Sequence, residues 1–186
     1  MKKELDEALC AKYPKLFRDR NAPMNVTCMC WGFDCGDGWY NIIDVLCSNI
    51  QHHIDHKRKD RARALVYNRA LKRAISGDDT SMRRWYSYMS PANLDEAIKK
   101  AVEEKQFRKV PESVSQVVVS QVKEKFGGVR FYVNGGDREV YAMISMAESM
   151  SYRTCEVCGS PGTSNSHGWI TTLCETHRNE KENQYA

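Results

Sequence analysis

Apolar residues at Trp39, Ile42, Ile43, Leu46, Cys47, Ile50 and Ile54 recur close to every 3.6 positions. That spacing predicts an amphipathic helix and a main element of the core. Gly36-Asp37-Gly38 breaks the chain ahead of it, with Asp37 as the expected N-cap. Upstream, Leu5, Leu9 and Cys10 share one side of a short helix ending near Pro14. Asn21-Ala22-Pro23 reads as a turn, and Val26 to Phe33 as a short extended stretch. Downstream, helix formers continue through 57–76 with a weaker apolar stripe (Ala62, Leu65, Val66, Ala70) until Gly77-Asp78-Asp79. Ser90-Pro91 opens another helix, serine as cap and proline in the first turn. Its apolar side is Leu94, Ile98, Ala101 and Val102.

Beyond Pro111 the pattern changes. Val114, Val117-Val118-Val119 and Val122 favour strand, Phe126-Gly127-Gly128 supplies a turn, and Val129 to Val133 forms a second strand ended by Asn134-Gly135-Gly136. Together they predict a β-hairpin. Asp137 then caps a helix that buries Val140, Met143, Ile144, Ala147 and Met150 and leads into Cys155. The expected fold class is α+β: several helices around a small antiparallel β-hairpin, with a C-terminal metal module. Four segments follow: a helical core at 1–56, a basic helical stretch at 57–109, the hairpin and helix completing the core at 110–151, and the metal module at 152–186. Trp39 and Trp169, each preceded by glycine, are the expected aromatic anchors between core and module.

The strongest chemical signal is Cys155, Cys158, Cys174 and His177, a C-x2-C-x15-C-x2-H pattern. Two ligand pairs at this spacing supply the four donors that tetrahedral zinc prefers. Gly159 suits a tight knuckle, the spacer reads as a loop or short hairpin, and the polar tail permits a short helix. That order is a treble clef, with a plain zinc ribbon as the close rival. With all four positions taken by protein, one Zn2+ is structural and no catalytic residue is expected. Such binding is worth roughly 10–16 kcal/mol apparent at neutral pH, so it organises this end of the chain.

Composition adds limits. The chain has 186 residues, 41% hydrophobic and 28% charged, enough for one domain or a domain with an appended module. No stretch approaches the roughly 18 apolar residues of a membrane helix, and Met-Lys-Lys-Glu-Leu-Asp-Glu lacks a secretory apolar core. Eight cysteines without an export signal point to a reducing cytosol. The net charge of +4 is uneven: 57–84 holds 10 basic and 3 acidic residues. Lys57, Arg58, Lys59, Arg61, Arg63, Arg69, Lys72, Arg73, Arg83 and Arg84 can neutralise phosphates, and Trp85, Tyr86 and Tyr88 can stack on bases. A solvated helix face with core-packed aromatics is the plainer account, and an acidic protein is an equal match for such a face.

Other clusters carry less. His52 and His56 have i,i+4 spacing beside His53 and Asp55, without the glutamate of HExxH. Cys28, Cys30 and Cys35 make no usual zinc pair, and Cys47 falls on an apolar face. Lys123, Lys125 and Arg130 flank the paired glycines without P-loop context. His167 lies between the ligand pairs as a nuclease histidine would, but the spacer is short for an HNH site.

Cys35-Gly36-Asp37-Gly38-Trp39, then Val122 to Tyr132 (VKEKFGGVRFY), then the CxxCG knuckle with Gly168-Trp169-Ile170 and Leu173-Cys174, resemble an uncharacterised family of small zinc-ribbon-like proteins from tailed bacteriophages and prophages. Its members typically carry leucine where this chain has Val129. The resemblance implies a phage protein made in a bacterial cytosol, with 57–109 as an insertion; it implies no activity. The expected function is therefore a non-enzymatic zinc-binding protein that engages a host protein or nucleic acid in host takeover, regulation or anti-defence. The alternative is a zinc-containing nucleic-acid-processing enzyme such as a nuclease.

Overall fold

In the computed structural model, which describes residues 1–165 and 167–183, one helix runs unbroken from Tyr40 to Ile75. No glycine or proline interrupts those 36 residues, and Gly77, at φ +98°, turns the chain after them. In chain order the elements are α1 (Lys3–Lys12), α2 (Tyr40–Ile75), α3 (Thr80–Trp85), α4 (Pro91–Glu103), β1 (Val118–Lys125), β2 (Gly128–Asn134), α5 (Arg138–Ser151), β3 (Thr163–Ser164), β4 (Thr172–Leu173) and α6 (Glu175–Asn183). The fold is α+β, with a small antiparallel hairpin among helices. Two compact units divide the chain: Met1–Ile54 with Ser115–Ala186, and Asp55–Val114. No described helix is long and apolar enough to cross a membrane.

The first unit is built around Leu9, Leu16, Trp39, Ile43, Ile50, Ile54, Val117, Val119 and Val122, all without appreciable exposure. β1 and β2 pair antiparallel from Val118–Asn134 to Lys125–Gly128, with a bulge between Val119 and Gln121. Their loop is the two-residue turn Phe126-Gly127, both at positive φ (+54° and +76°), which matches the twist of the strands. α5 seals the hairpin: the Ser151 hydroxyl accepts from Val129 N at 2.9 Å, and Glu148 accepts from Phe131 N at 3.0 Å. Asp137 caps α5 as expected, accepting from Val140 N at 3.0 Å. Met150, expected on the buried face, is half exposed; Val140, Ile144 and Ala147 hold that face instead.

Two local expectations change. Val26 to Phe33 is not extended: Cys28–Trp31 is a 3-10 turn, because the Thr27 hydroxyl accepts from Met29 N at 3.1 Å and so favours turning over pairing. Asp37 does not cap α2. It lies in a second 3-10 turn, Asp37–Trp39, and accepts from Lys2 N at 2.7 Å, which ties the N-terminus to this loop. A buried carboxylate also organises the region: Asp6 accepts from Arg20 Nε (3.2 Å), Arg20 Nη2 (3.0 Å) and Phe33 N (3.2 Å).

The second unit has its own core of Tyr67, Ala70, Leu71, Ala74, Met82, Ile98 and Ala101. The expected α2 stripe is rotated there. Ala62, Leu65 and Val66 are exposed, while Ala64, Tyr67, Ala70, Leu71 and Ala74 are buried. The apolar residues of α3 and α4 face the second set, and α3 had no strong periodic signal of its own. α4 follows Ser90-Pro91 as expected, although the Ser90 side chain makes no cap bond.

Candidate metal centre and charged surface

The knuckle forms because its backbone closes on itself and on the loop before α2. Cys155 N donates to Ser160 O at 2.7 Å and Gly159 N to Cys155 O at 2.9 Å, with Gly159 at φ +78°. β3 and β4 pair antiparallel and return the chain to Cys174, which immediately precedes α6. His177 follows in the first turn of that helix. Thus knuckle, short hairpin and helix occur in the order expected.

The four side chains converge. Their ligand atoms all lie within 4.8 Å of one another. Cys158 Sγ is 3.8 Å from Cys174 Sγ, and His177 Nδ1 is 3.5 Å from Cys155 Sγ and 3.1 Å from Cys174 Sγ. A tetrahedron with metal–sulfur bonds near 2.3 Å has S···S edges of about 3.8 Å and S···N edges of about 3.6 Å. The donor set is therefore compatible with a four-ligand metal site, with His177 presenting Nδ1. Its other nitrogen, Nε2, lies 3.9 Å from the exposed Glu180 carboxylate, beyond hydrogen-bond distance. Hydrogen bonds from the Ser160 side chain and backbone draw the Cys158 thiol down to about 6, favouring the thiolate a metal needs.

The loop Cys35 to Trp39 is the bed of the knuckle. Trp39 is fully buried, and its Nε1 donates to Thr154 O at 2.9 Å. Gly38 N donates to Glu156 O at 2.8 Å, and Gly36 N to the Glu156 carboxylate at 3.0 Å. Burial pushes the Glu156 carboxyl upward. A Cβ on Gly38 would lie 2.2 Å from Cys155 O and 2.4 Å from Gly159 N, so only glycine permits this approach. Trp39 is the aromatic anchor that the sequence suggests. Trp169 is not: it is 78% exposed, and nearby Asn165 accepts from Thr171 N at 2.6 Å. The roles of Glu156 and Thr154 leave no signal in the sequence, since each depends on a partner distant along the chain.

The basic residues of 57–84 divide by what they touch. Arg58 Nε donates to Val114 O at 3.2 Å, and Arg61 donates to Pro111 O. Arg63 lies 4.0 Å from Asp60, Arg73 2.7 Å from Asp78, and Arg83 2.8–2.9 Å from Asp79 and Asp95. Lys57 is half-buried and has a partner. Lys59, Arg69, Lys72 and Arg84 are exposed, with no carboxylate in ion-pair range among the described residues. Trp85 is half-buried: it meets the Tyr67 ring edge-on at 5.4 Å and is covered by the Arg108 guanidinium at 4.9 Å. It packs this unit rather than offering a free face.

Among the described residues, His52 and His56 join no metal-binding group; His56 pairs with Asp60 at 3.1 Å. His53 instead approaches Asp137 at 2.9 Å, with Glu139 nearby. Cys28, Cys30, Cys35 and Cys47 likewise form no such group, and burial pushes the Cys35 thiol to about 12, as an inert buried cysteine behaves. His167 is exposed in its loop and outside the four-ligand cluster. The chain matches no known family model, no curated protein and no solved structure.

Proposed function

We propose that this chain is a non-enzymatic binding protein, its tail organised by one structural Zn2+, that contacts the phosphates of nucleic acid through the exposed flank of α2. The observation that carries the reading is the set of exposed cations along that helix. Lys59, Arg69 and Lys72 are exposed and have no acidic partner among the described residues, and Arg69 and Lys72, three positions apart, share one side of the helix. A helix flank bearing solvated cations suits backbone contact, which needs charge and reach but no base readout. The ion would be held by Cys155, Cys158, Cys174 and His177, leaving no open position for water, which supports a structural role over a nuclease. Knuckle, hairpin and helix in this order support a treble-clef module. The resemblance to small phage proteins makes an infected bacterium the natural setting, with a regulatory, host-takeover or anti-defence role.

The test is duplex DNA and RNA binding at graded salt. Each phosphate contact adds about −0.9 to the slope of log K against log salt on a B-form duplex. The triple reversal Lys59→Glu, Arg69→Glu, Lys72→Glu is expected to flatten that slope by about 3 and to leave zinc content unchanged. Arg58 and Arg61 are unsuitable for this purpose, because their bonds to Val114 and Pro111 close the second unit. Unchanged binding by the triple variant rejects the surface. Cleavage of plasmid or RNA in the presence of magnesium or manganese rejects the non-enzymatic assignment.

A further inference from the structure

Two large rings stand in water where folding alone would not put them. Trp169 is 78% exposed, and Phe126 at the tip of the hairpin is 65% exposed. Phe126 also sits at φ +54°, a region that bulky residues avoid and that glycine or asparagine occupies at less cost. Sheet geometry requires a positive φ there, but it does not require phenylalanine. A strained position holding a solvent-facing aromatic ring points to use of the ring rather than to stability.

The two rings line one open cleft of ≈ 400 Å³, together with Lys123 and Lys125. Trp169 also lines a second cleft of ≈ 860 Å³, which contains Arg178 and Lys181. These walls hold four cations against two carboxylates, Glu124 and Glu182. Arg178 donates to Thr163 and Lys181 to Thr171, so Lys123 and Lys125 are the cations the cleft offers. Glu124 is already engaged, accepting from Gly127 N at 2.7 Å within the turn. Lys125 Nζ lies over one face of the exposed Phe126 ring, 5.5 Å from its centroid, so a base would stack on the opposite face with the charge close by.

Exposed rings beside cations match a ligand that is flat and aromatic at one end and anionic at the other. In a duplex the base faces are stacked inside and out of reach; in a single strand they are free. An acidic peptide would use the cations but leave the rings idle, and an apolar peptide would do the reverse. We propose that the cleft between the hairpin tip and the 168–170 loop takes unpaired nucleotides of single-stranded nucleic acid. The base stacks on Trp169 and Phe126, and the flanking phosphates meet Lys123 and Lys125. This site lies in the first unit and does not depend on the cationic flank of α2.

The experiment is fluorescence anisotropy of labelled oligo(dT) and oligo(rU) with the zinc-loaded full chain, with an unlabelled duplex of equal length as competitor. Trp169→Ala is expected to weaken single-strand binding about 10-fold or more, and Trp169→Phe to restore most of it. Phe126→Asn suits the left-handed turn, so it is expected to fold and to weaken binding as well. Lys123→Ala with Lys125→Ala is expected to lower the salt slope by about 1.4. The proposal is overturned if no single strand binds at low salt, or if Trp169→Ala and Phe126→Asn bind as the parent does with metal content retained. It is also overturned if the duplex competes equally, or if Trp169-dependent binding is found for an acidic peptide and not for the oligonucleotides. The α2 triple reversal separates the two surfaces: a Trp169-dependent single-strand signal that survives it supports the cleft even where the duplex reading has failed.

Discussion

The indole nitrogen of Trp39 donates to the carbonyl of Thr154 at 2.9 Å, and Thr154 directly precedes the first cysteine of the metal cluster. One fully buried side chain thus joins the start of α2 to the start of the knuckle, 115 residues further along the chain. This contact is expected to couple core stability to metal retention at the cluster. Replacing Trp39 with phenylalanine removes one hydrogen bond and leaves a cavity in a fully buried site, and is expected to cost about 2–3 kcal/mol; replacement with alanine is expected to cost about 3–5 kcal/mol. Urea unfolding, together with zinc competition against a chromophoric chelator, should show both quantities fall. A change in stability with metal affinity intact would break the coupling.

Gly38→Ala probes the same interface by steric means. Its Cβ would collide with the backbone of Cys155 and Gly159, neither of which can rotate away as a side chain could. The expected cost is about 1–3 kcal/mol or more, with weakened metal retention measured by dialysis and elemental analysis. Gly77→Ala is the contrast: a Cβ there meets nothing, although φ +98° strains it, so metal retention should not change.

Metal removal should be local first. Chelation, or Cys174→Ser, is expected to abolish hydrogen-exchange protection at the amides of Cys155, Glu156, Gly159 and Gly162, whose bonds close the knuckle. The β1–β2 amides should retain more protection. Equal protection with and without metal would mean that the tail folds unaided.

Asp37 gives a pH dependence of known sign. The backbone N–H of Lys2 and then its ammonium hold the Asp37 carboxyl below its ordinary value of 3.8. A depressed folded value contributes stability that is complete above the unfolded value and is lost as pH falls through the folded one. Parent and Asp37→Asn should therefore differ most at neutral pH and converge below about pH 3.8. Acid release of metal is common to both chains and cancels in the difference. A gap that widens on acidification would reverse the assignment.

Phe126→Gly should raise stability by about 1 kcal/mol, because it relieves the left-handed backbone and forfeits little buried surface. Thermal unfolding measures it. A loss of stability would show that the ring contributes to packing.

Element types were legible in the sequence wherever periodicity was strong. The run from Trp39 to Ile54, the two valine-rich strands around Phe126-Gly127-Gly128 and the helix after Asp137 all appear where the pattern puts them. The paired spacing of Cys155, Cys158, Cys174 and His177 likewise brings four donors together. These features are local: they depend on turn chemistry and on the repeat of apolar positions, which a chain carries in itself.

What faces what was decided by packing between distant segments. Along 57–76 several apolar residues offered competing faces, and the core gathered with α3 and α4 selected Tyr67, Leu71 and Ala74 over Leu65 and Val66. Trp39 and Trp169 share a preceding glycine, yet one is buried and the other exposed, because only Trp39 finds a backbone acceptor and a close-packed bed. Burial is a property of the partner as much as of the residue, and the partner of each of these side chains lies where no local pattern reaches.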